Sequence, residues 1–360
     1  MLSSILEQMK ILGIETSCDE TAAAVVEDGH RMLSNVVATS MDLHKAYGGV
    51  VPEIAARSHL EVITPVIEEA LKVSGCGWGD IDAIAVTYGP GLGGSLLIGT
   101  MTAKTLAIAK KKPLYAINHV EAHIYANFIN ETKLHNYKLP QTSPALPLLA
   151  LIVSGGHSHL IYLKNHSDYE VIGRTYDDAV GEAFDKVAKI LGLPYPGGPS
   201  IQEAAKDGNS RAIKLPKAKM AGKYDFSFSG LKTAVLRAAQ DQAGKDFTFP
   251  SYELAELLTN AQKANLAASF QATALESLID KLKTAIDDYS PLSVVIGGGV
   301  AANSALRQMV EEQIPTEVNY TDIKLCTDNA AMIAALAYFK QQNSEPTDPY
   351  TLEIDPNLSM

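Results

Sequence analysis

Two stretches of this chain repeat one order of strand and turn, and that repetition limits the fold more than any other feature. KILGIETSCDETAAAVVEDG (10–29) reads as an apolar strand, a polar turn and a returning strand. LLALIVSGGHSHLIYLKN (148–165) echoes it, with a Ser-Gly turn in the middle. Each hairpin is followed later by a strand, a glycine turn and a helix. These are IDAIAVTYGPGLGG leading into SLLIGTMTAKTLAIAK, and PLSVVIGGGVAANSALRQMV. Strands that read as continuous apolar runs and alternate with helices predict an α/β fold with largely buried strands. A length of 360 residues is more than one compact core usually holds. The expected division is an N-terminal lobe over 1–145, joined by a C-terminal helix around 326–345. The second lobe is expected over 146–325, with a partly basic insertion around 200–265. The halves share little identity, so the echo is one of architecture. Two such halves facing each other would leave a cleft, where ligands usually bind.

Composition narrows the class. The hydrophobic share is 46% and the charged share 20%, as in a globular protein. No apolar run reaches the roughly 20 residues that span a bilayer. The leader MLSSILEQMK lacks a signal-type apolar core and an Arg-rich transit composition. Cys18, Cys76 and Cys326 have unrelated spacings and suggest neither a disulfide framework nor a zinc knuckle. A cytoplasmic protein with no membrane partner is expected. The net charge of −11 argues against general nucleic-acid affinity. Lys206, Arg211, Lys214, Lys217, Lys219 and Lys223 nevertheless face a single Asp207 in the 206–223 segment. That run reads as solvated surface or as a local phosphate-binding strip.

The glycines imitate known motifs without completing them. GPGLGG (89–94) matches G-x-G-x-x-G between a strand and a helix. A dinucleotide site also needs an acid about 20 residues on, and the region AKKKPLYAIN supplies none. No G-x-x-x-x-G-K-[ST] is present, which excludes a P-loop. ETSCDET, VSGGHS and GGGVAAN are three small-residue turns after buried strands. Each can offer backbone N–H groups, and GGGVAAN is expected to open a helix whose N-terminus favours phosphate. Tight turns also need glycine for steric reasons alone.

INHVEAHIYANF (117–128) places His119 and His123 one helical turn apart, about 40° from each other around the axis. Val120, Ile124 and Phe128 form a separate apolar row, which predicts that the histidines lie off the core-facing stripe. Two imidazoles are too few for zinc or iron, which take at least three protein groups. Asp328 of LCTDNAAMIAALAYF is one candidate for the third, with a helix cap as its plain alternative. His157 and His159 of SGGHSH are others. The residues alone do not choose among them. A zinc peptidase would carry H-E-x-x-H, with glutamate after the first histidine. Here the order is H-V-E-A-H, and Glu121 falls about 180° from the mean histidine direction.

Taken together, the motifs resemble the universal family of tRNA threonylcarbamoyladenosine transferases, the TsaD family. The matching stretches are ILGIETSCDET, YGGVVPEIAARSH, GPGLGGSLLIG, HVEAH, LIVSGGHSHL, DDAVGEAFDKVAKILGLPYPGGP, DFSFSGLKT, GGGVAANSALR and CTDNAAMIA, in family order over roughly 10–340. The resemblance implies the two-lobed actin, sugar-kinase and Hsp70-like (ASKHA) fold, with a nucleotide cleft between duplicated RNase H-like lobes. It implies transfer of threonylcarbamoyl from threonylcarbamoyl-AMP to N6 of adenosine 37, in tRNAs that read codons beginning with A. It selects His119, His123 and Asp328 as ligands of one divalent transition ion, Fe2+ or Zn2+. It assigns substrate contacts to Ile152, Val153, Ser154, Gly155 and Gly156, and to Asp185, Gly198 and Asn303. Asp19 and Glu20 match acidic positions of the first turn. Ser158 stands where threonine is common, and Gln202 where many members carry an acid near the sugar. Implied partners are tRNA and, in bacteria, a paralogous inactive partner with a small ATPase subunit (TsaB- and TsaE-like); mitochondrial-type members are homodimers. An actin-like or sugar-kinase-like ATPase acting on a small molecule is the competing reading. Such an enzyme would not need the two histidines and Asp328 together. A non-catalytic scaffold subunit is a third, against which the full set of ligand-type residues argues.

Overall fold

Lys10–Glu15 (β1) is buried except at Lys10, as its apolar run KILGIE requires. The structure, a computed structural model, describes residues 8–45 and 47–360; most of the leader MLSSILEQMK lies outside the described residues. Glu20–Glu27 (β2) returns antiparallel to β1, with Ile14 opposite Ala23. Arg31–Thr39 (β3) continues the meander, with a register shift at Val25/Val26. Two helices follow, Met41–Lys45 (α1) and Pro52–Ser74 (α2). A proline opens α2, where its missing N–H costs nothing, and Gly75 closes it in the left-handed region at φ 71. Ala83–Gly89 (β4) lies parallel to β1, Gly93–Lys110 (α3) follows, and Leu114–Asn118 (β5) lies parallel to β4. The chain then forms His119–Tyr125 (α4) and the short strand Glu131–Thr132 (β6). The sheet order is β5-β4-β1-β2-β3-β6. One apolar face of α2 (Ile63, Val66, Ile67, Leu71) packs with Leu12, Ile14, Val25, Ile84 and Val86.

The second unit repeats that plan. Leu148–Val153 (β7), Ser158–Asn165 (β8) and Asp168–Arg174 (β9) form an antiparallel meander. Val180–Leu191 (α5), Gly197–Ala205 (α6), Ser229–Gln242 (α7), Leu254–Leu257 (α8) and Asn260–Tyr289 (α9) come next. Thr259 starts α9 with a reciprocal cap: its hydroxyl accepts from Gln262 N, and Gln262 Oε1 accepts from Thr259 N at 2.8 Å. Ser293–Gly297 (β10) lies parallel to β7, then come Ser304–Gln313 (α10) and Val318–Tyr320 (β11). The sheet order is β11-β10-β7-β8-β9. In both sheets the hairpin strand has its returning partner on one side and a parallel strand on the other. This is the α/β class expected from the echoing hairpins.

After β11 come Ile323–Cys326 (α11) and Ala330–Gln341 (α12), which belong with the first unit. That unit comprises the described residues up to His44, Val50–Pro144 and Tyr320–Met360; the other comprises Lys45–Gly49 and Ala145–Asn319. Ala330 through Ala337 are fully buried, and α12 packs on β1 and β2. Its alanines allow that closeness, and Gly13 completes it: a Cβ there would run into the Ala330 carbonyl oxygen. Among the described residues no helix is long and apolar enough to cross a membrane.

Candidate metal centre

The helix carrying HVEAH starts where β5 ends. Asn118 caps it, its side-chain oxygen accepting from Val120 N at 2.9 Å and Glu121 N at 3.2 Å. Every residue of α4 is buried, the histidines included, with His119 6% and His123 1% exposed. This corrects the expectation that the histidine row lies off the core. The apolar row and the histidine row are both covered, because α12 packs against α4.

Asp328 stands two residues before α12, and it is not the helix cap. Asn329 holds that position, its side chain accepting from Met332 N at 3.1 Å. The aspartate therefore reaches toward α4 and stands 3.5 Å from Nε2 of both His119 and His123. One ligand atom from each residue lies within 4.8 Å of the others. His157 sits in the turn before β8 and His159 within it, both in the second unit; the cluster forms without them.

The donor set fits a transition ion. Ligands about 2.1 Å from an ion at tetrahedral angles stand roughly 3.4 Å apart, close to the 3.5 Å between Asp328 and each histidine Nε2, while the whole set lies within 4.8 Å. Both ring nitrogens of His123 are buried, and among the described residues Nδ1 has no hydrogen-bond partner while Nε2 faces Asp328 at 3.5 Å. A buried imidazole short of partners is costly, and a bound cation offsets that cost.

Glu15, which the sequence reading passed over, closes the back of the site. It ends β1 fully buried, with Oε2 3.0 Å from His119 Nδ1. Thr87 Oγ1 and Ser17 N also donate to it. A carboxylate at the end of an otherwise apolar buried strand was the available signal, since such a group must be paired. Burial alone would push the His119 imidazole down; the charges of Asp328 and Glu15 and the Glu15 hydrogen bond outweigh it, so the pKa is pushed up to about 9. Burial pushes His123 down, against its bond to Asp328. Burial raises Glu20 to about 10, helped by the charge of Asp328 and a hydrogen bond with Asp19. The SCDET turn thus lies within the electrostatic reach of Asp328. Glu121 turns the other way, its Oε2 2.8 Å from Lys340 Nζ on α12.

In the second unit, Ile152 and Val153 end β7, and Ser154, Gly155 and Gly156 form the turn to β8. Gly155, Gly156 and Gly198 are open: a Cβ on any of them would meet nothing within 4 Å. The first-unit turn GPGLGG differs, for a Cβ on Gly91 would come within 2.6 Å of Ser17 O. The first-unit turn is packed at that glycine, whereas Gly155, Gly156 and Gly198 stand clear of neighbouring atoms. Asp185 on α5 accepts from Gly197 N at 2.6 Å and borders a cavity of about 290 Å3 with Lys189 and Tyr195. GGGVAAN does not open a helix directly: a 3-10 turn, Gly299–Ala302, intervenes. Asn303 then caps α10, accepting from Ala305 N and Leu306 N, and donates to Gln271 at 3.0 Å. Gln202 accepts from Ser304 N at 2.8 Å, so it supports the same helix start.

The basic strip is less positive than its sequence. Lys217 pairs with Glu276 at 2.9 Å and Asp280 at 2.8 Å, Lys223 with Asp288, and Lys206 with Glu203. Arg211, Lys214 and Lys219 are exposed and form no ion pair among the described residues.

A family model for TsaD, described as tRNA N6-adenosine threonylcarbamoyltransferase, matches residues 31–335. The chain is 50% identical over 354 residues to a tRNA N6-adenosine threonylcarbamoyltransferase of Thermomicrobium roseum, covering 96% of this chain and 95% of that one. It is likewise 50% identical over 337 residues to one of Symbiobacterium thermophilum, covering 93% and 92%. Among solved structures, full-length HypF in its phosphate- and nucleotide-bound form aligns with TM-score 0.55 at 14% identity, over 94% of this chain and 56% of that one. That likeness concerns the fold alone and agrees with the ASKHA class.

Proposed function

The chain belongs to the TsaD family of tRNA N6-adenosine threonylcarbamoyltransferases, and from that premise we propose how its residues serve the reaction. It is a transferase that places a threonylcarbamoyl group on N6 of adenosine in tRNA. The acceptor is adenosine 37 of tRNAs that read codons beginning with A, and the donor is threonylcarbamoyl-AMP. The amine nitrogen attacks the carbamoyl carbon and forms the new N–C bond. The bond from that carbon to the phosphate oxygen breaks, AMP leaves with its electron pair, and the amine gives up a proton. AMP is a good leaving group, so the demands on the protein are positioning and charge stabilisation.

The single observation that carries the site reading is the convergence of His119, His123 and Asp328. These residues would hold one divalent ion, Fe2+ or Zn2+, which when bound supplies Lewis-acid polarisation or orientation of the donor's threonyl end. The open turn Ile152–Gly156 offers backbone N–H groups to the donor's phosphate. Asp185, Gly198 and Asn303 contact its nucleoside part, Asn303 through the helix start that it caps. Arg211, Lys214 and Lys219 supply positive surface for tRNA. A TsaB- and TsaE-like pair, or a second copy of the chain in a mitochondrial-type arrangement, would complete the working assembly. The small-molecule kinase reading has no support among the relatives.

The test is reconstitution with tRNA, ATP, threonine, bicarbonate and the donor-making synthase, with and without the candidate partners. Metal analysis accompanies scoring of modified adenosine. Transfer that persists at full rate in metal-stripped protein would refute the metal's role and leave family membership intact.

A further inference from the structure

We propose that Glu15 is the positioning residue of this centre: it keeps a proton of His119 on Nδ1, so that Nε2 is the nitrogen aimed at an ion and His123 is the adaptable ligand. This rests on the reading that His119, His123 and Asp328 hold a metal.

Glu15 is fully buried, and among the described residues its ion-pair partner is His119 alone. An ionised carboxylate only accepts hydrogen bonds, so at 3.0 Å the His119 Nδ1 carries the proton. In the neutral ring that leaves the lone pair on Nε2, the atom facing Asp328 at 3.5 Å. The carboxylate is itself immobile. Thr87 on β4 donates to the same Oε2, and the backbone N–H of Ser17 donates to Oε1. Strands β1 and β4 therefore fix it, and they are central neighbours in the sheet.

His123 shows the contrast. Among the described residues its Nδ1 has no hydrogen-bond partner, so no carboxylate or carbonyl behind the ring sets its tautomer, and its Nε2 faces Asp328 at 3.5 Å. One imidazole of the pair is aimed before an ion arrives, and the other turns to meet it. A carboxylate behind a ligating histidine also raises the basicity of the ring, and losing such a partner typically weakens metal binding about 10- to 100-fold.

The probe is Glu15→Gln. Its amide nitrogen must face either Ser17 N–H or the Thr87 and His119 donors, so one donor loses its acceptor whichever way the group turns. Stripped protein is loaded with Zn2+ or Co2+ against a chromophoric chelator, and the unfolding midpoint of each metal-free form is recorded alongside. The expected result is metal affinity about 10- to 100-fold weaker in Glu15→Gln, with Thr87→Val changing it less than about threefold because the carboxylate–imidazole contact survives. A purely structural role would lower the midpoint and leave the affinity of the folded fraction unchanged. In the zinc-loaded parent, long-range 1H–15N correlations should place the His119 proton on Nδ1; this measurement decides alone if the variant does not fold. A proton on Nε2, or Glu15→Gln affinity equal to the parent's, overturns the proposal while the metal site stands. A parent that binds neither ion overturns the metal reading and this inference with it.

Discussion

Replacing Gly13 by alanine tests whether the packing of α12 on the sheet sets the position of a metal ligand. Gly13 lies mid-sheet, opposite Ala24 on β2 and Ala85 on β4. A Cβ there would collide with the Ala330 carbonyl oxygen and stand 2.9 Å from Ala334 N and 3.1 Å from Ala334 Cβ. Comfortable contacts begin near 3.5 Å, so α12 must retreat by on the order of 0.5–1 Å. Asp328 precedes that helix by two residues and moves with it. Metal ligands tolerate only about 0.2 Å of displacement. Overpacking of this kind costs about 1–3 kcal/mol, which lowers the unfolding midpoint by roughly 2–12 °C for a unit of this size. Zn2+ affinity should fall about tenfold or more, since a shift of that size exceeds the ligand tolerance. The assay is thermal unfolding of the metal-free protein together with chelator competition. Gly79→Ala is the control, because a Cβ at Gly79 meets nothing within 4 Å. If Gly13→Ala matched the parent in both midpoint and metal affinity, the position of α12 would not set the position of Asp328.

His123→Ala should lose the metal and nearly all transfer, yet keep a metal-free unfolding midpoint near the parent's. The truncation opens a small cavity but also removes a buried Nδ1 that lacks a partner among the described residues. Glu121→Gln should keep the metal and lower stability by weakening the pair with Lys340; metal analysis and calorimetry on both variants separate the two roles. An ordinary imidazole near 6.5 would release metal only below that pH. With His119 pushed up to about 9 in the metal-free protein, an ion at pH 7 must displace a proton. Apparent Zn2+ affinity should therefore rise about tenfold per pH unit from 7 to 9 and then level off, as read by competition at fixed ionic strength. For the metal-free fold the sign is opposite. The stability from the charged ring is fully present below about pH 6.5 and lost as pH rises through about 9. Reversing Lys214 and Lys219 to Glu should weaken tRNA binding and reduce its salt dependence by about two counterions, as measured by salt titration. Unchanged binding would assign these lysines to ordinary surface.

The sequence by itself determined what local signals can carry. Apolar runs and glycine turns marked both hairpins and the strands beside them. The spacing of His119 and His123 placed them on one side of a helix, with Glu121 on the other. Asp328 was one of several possible third ligands until the family resemblance singled it out. Only the tertiary structure decided that Asn329 takes the cap and leaves Asp328 facing the histidines. Tertiary structure alone also brought Glu15 to His119, 104 residues away, because β1, β4 and β5 are neighbours in the sheet. The same holds for surface charge. A count of lysines in 206–223 could not see the acids of α9 that neutralise Lys217 and Lys223. Periodicity, turns and caps depend on residues a few positions apart. Ligand convergence and ion pairing depend on strand order and helix packing, which the chain settles only when its distant segments meet.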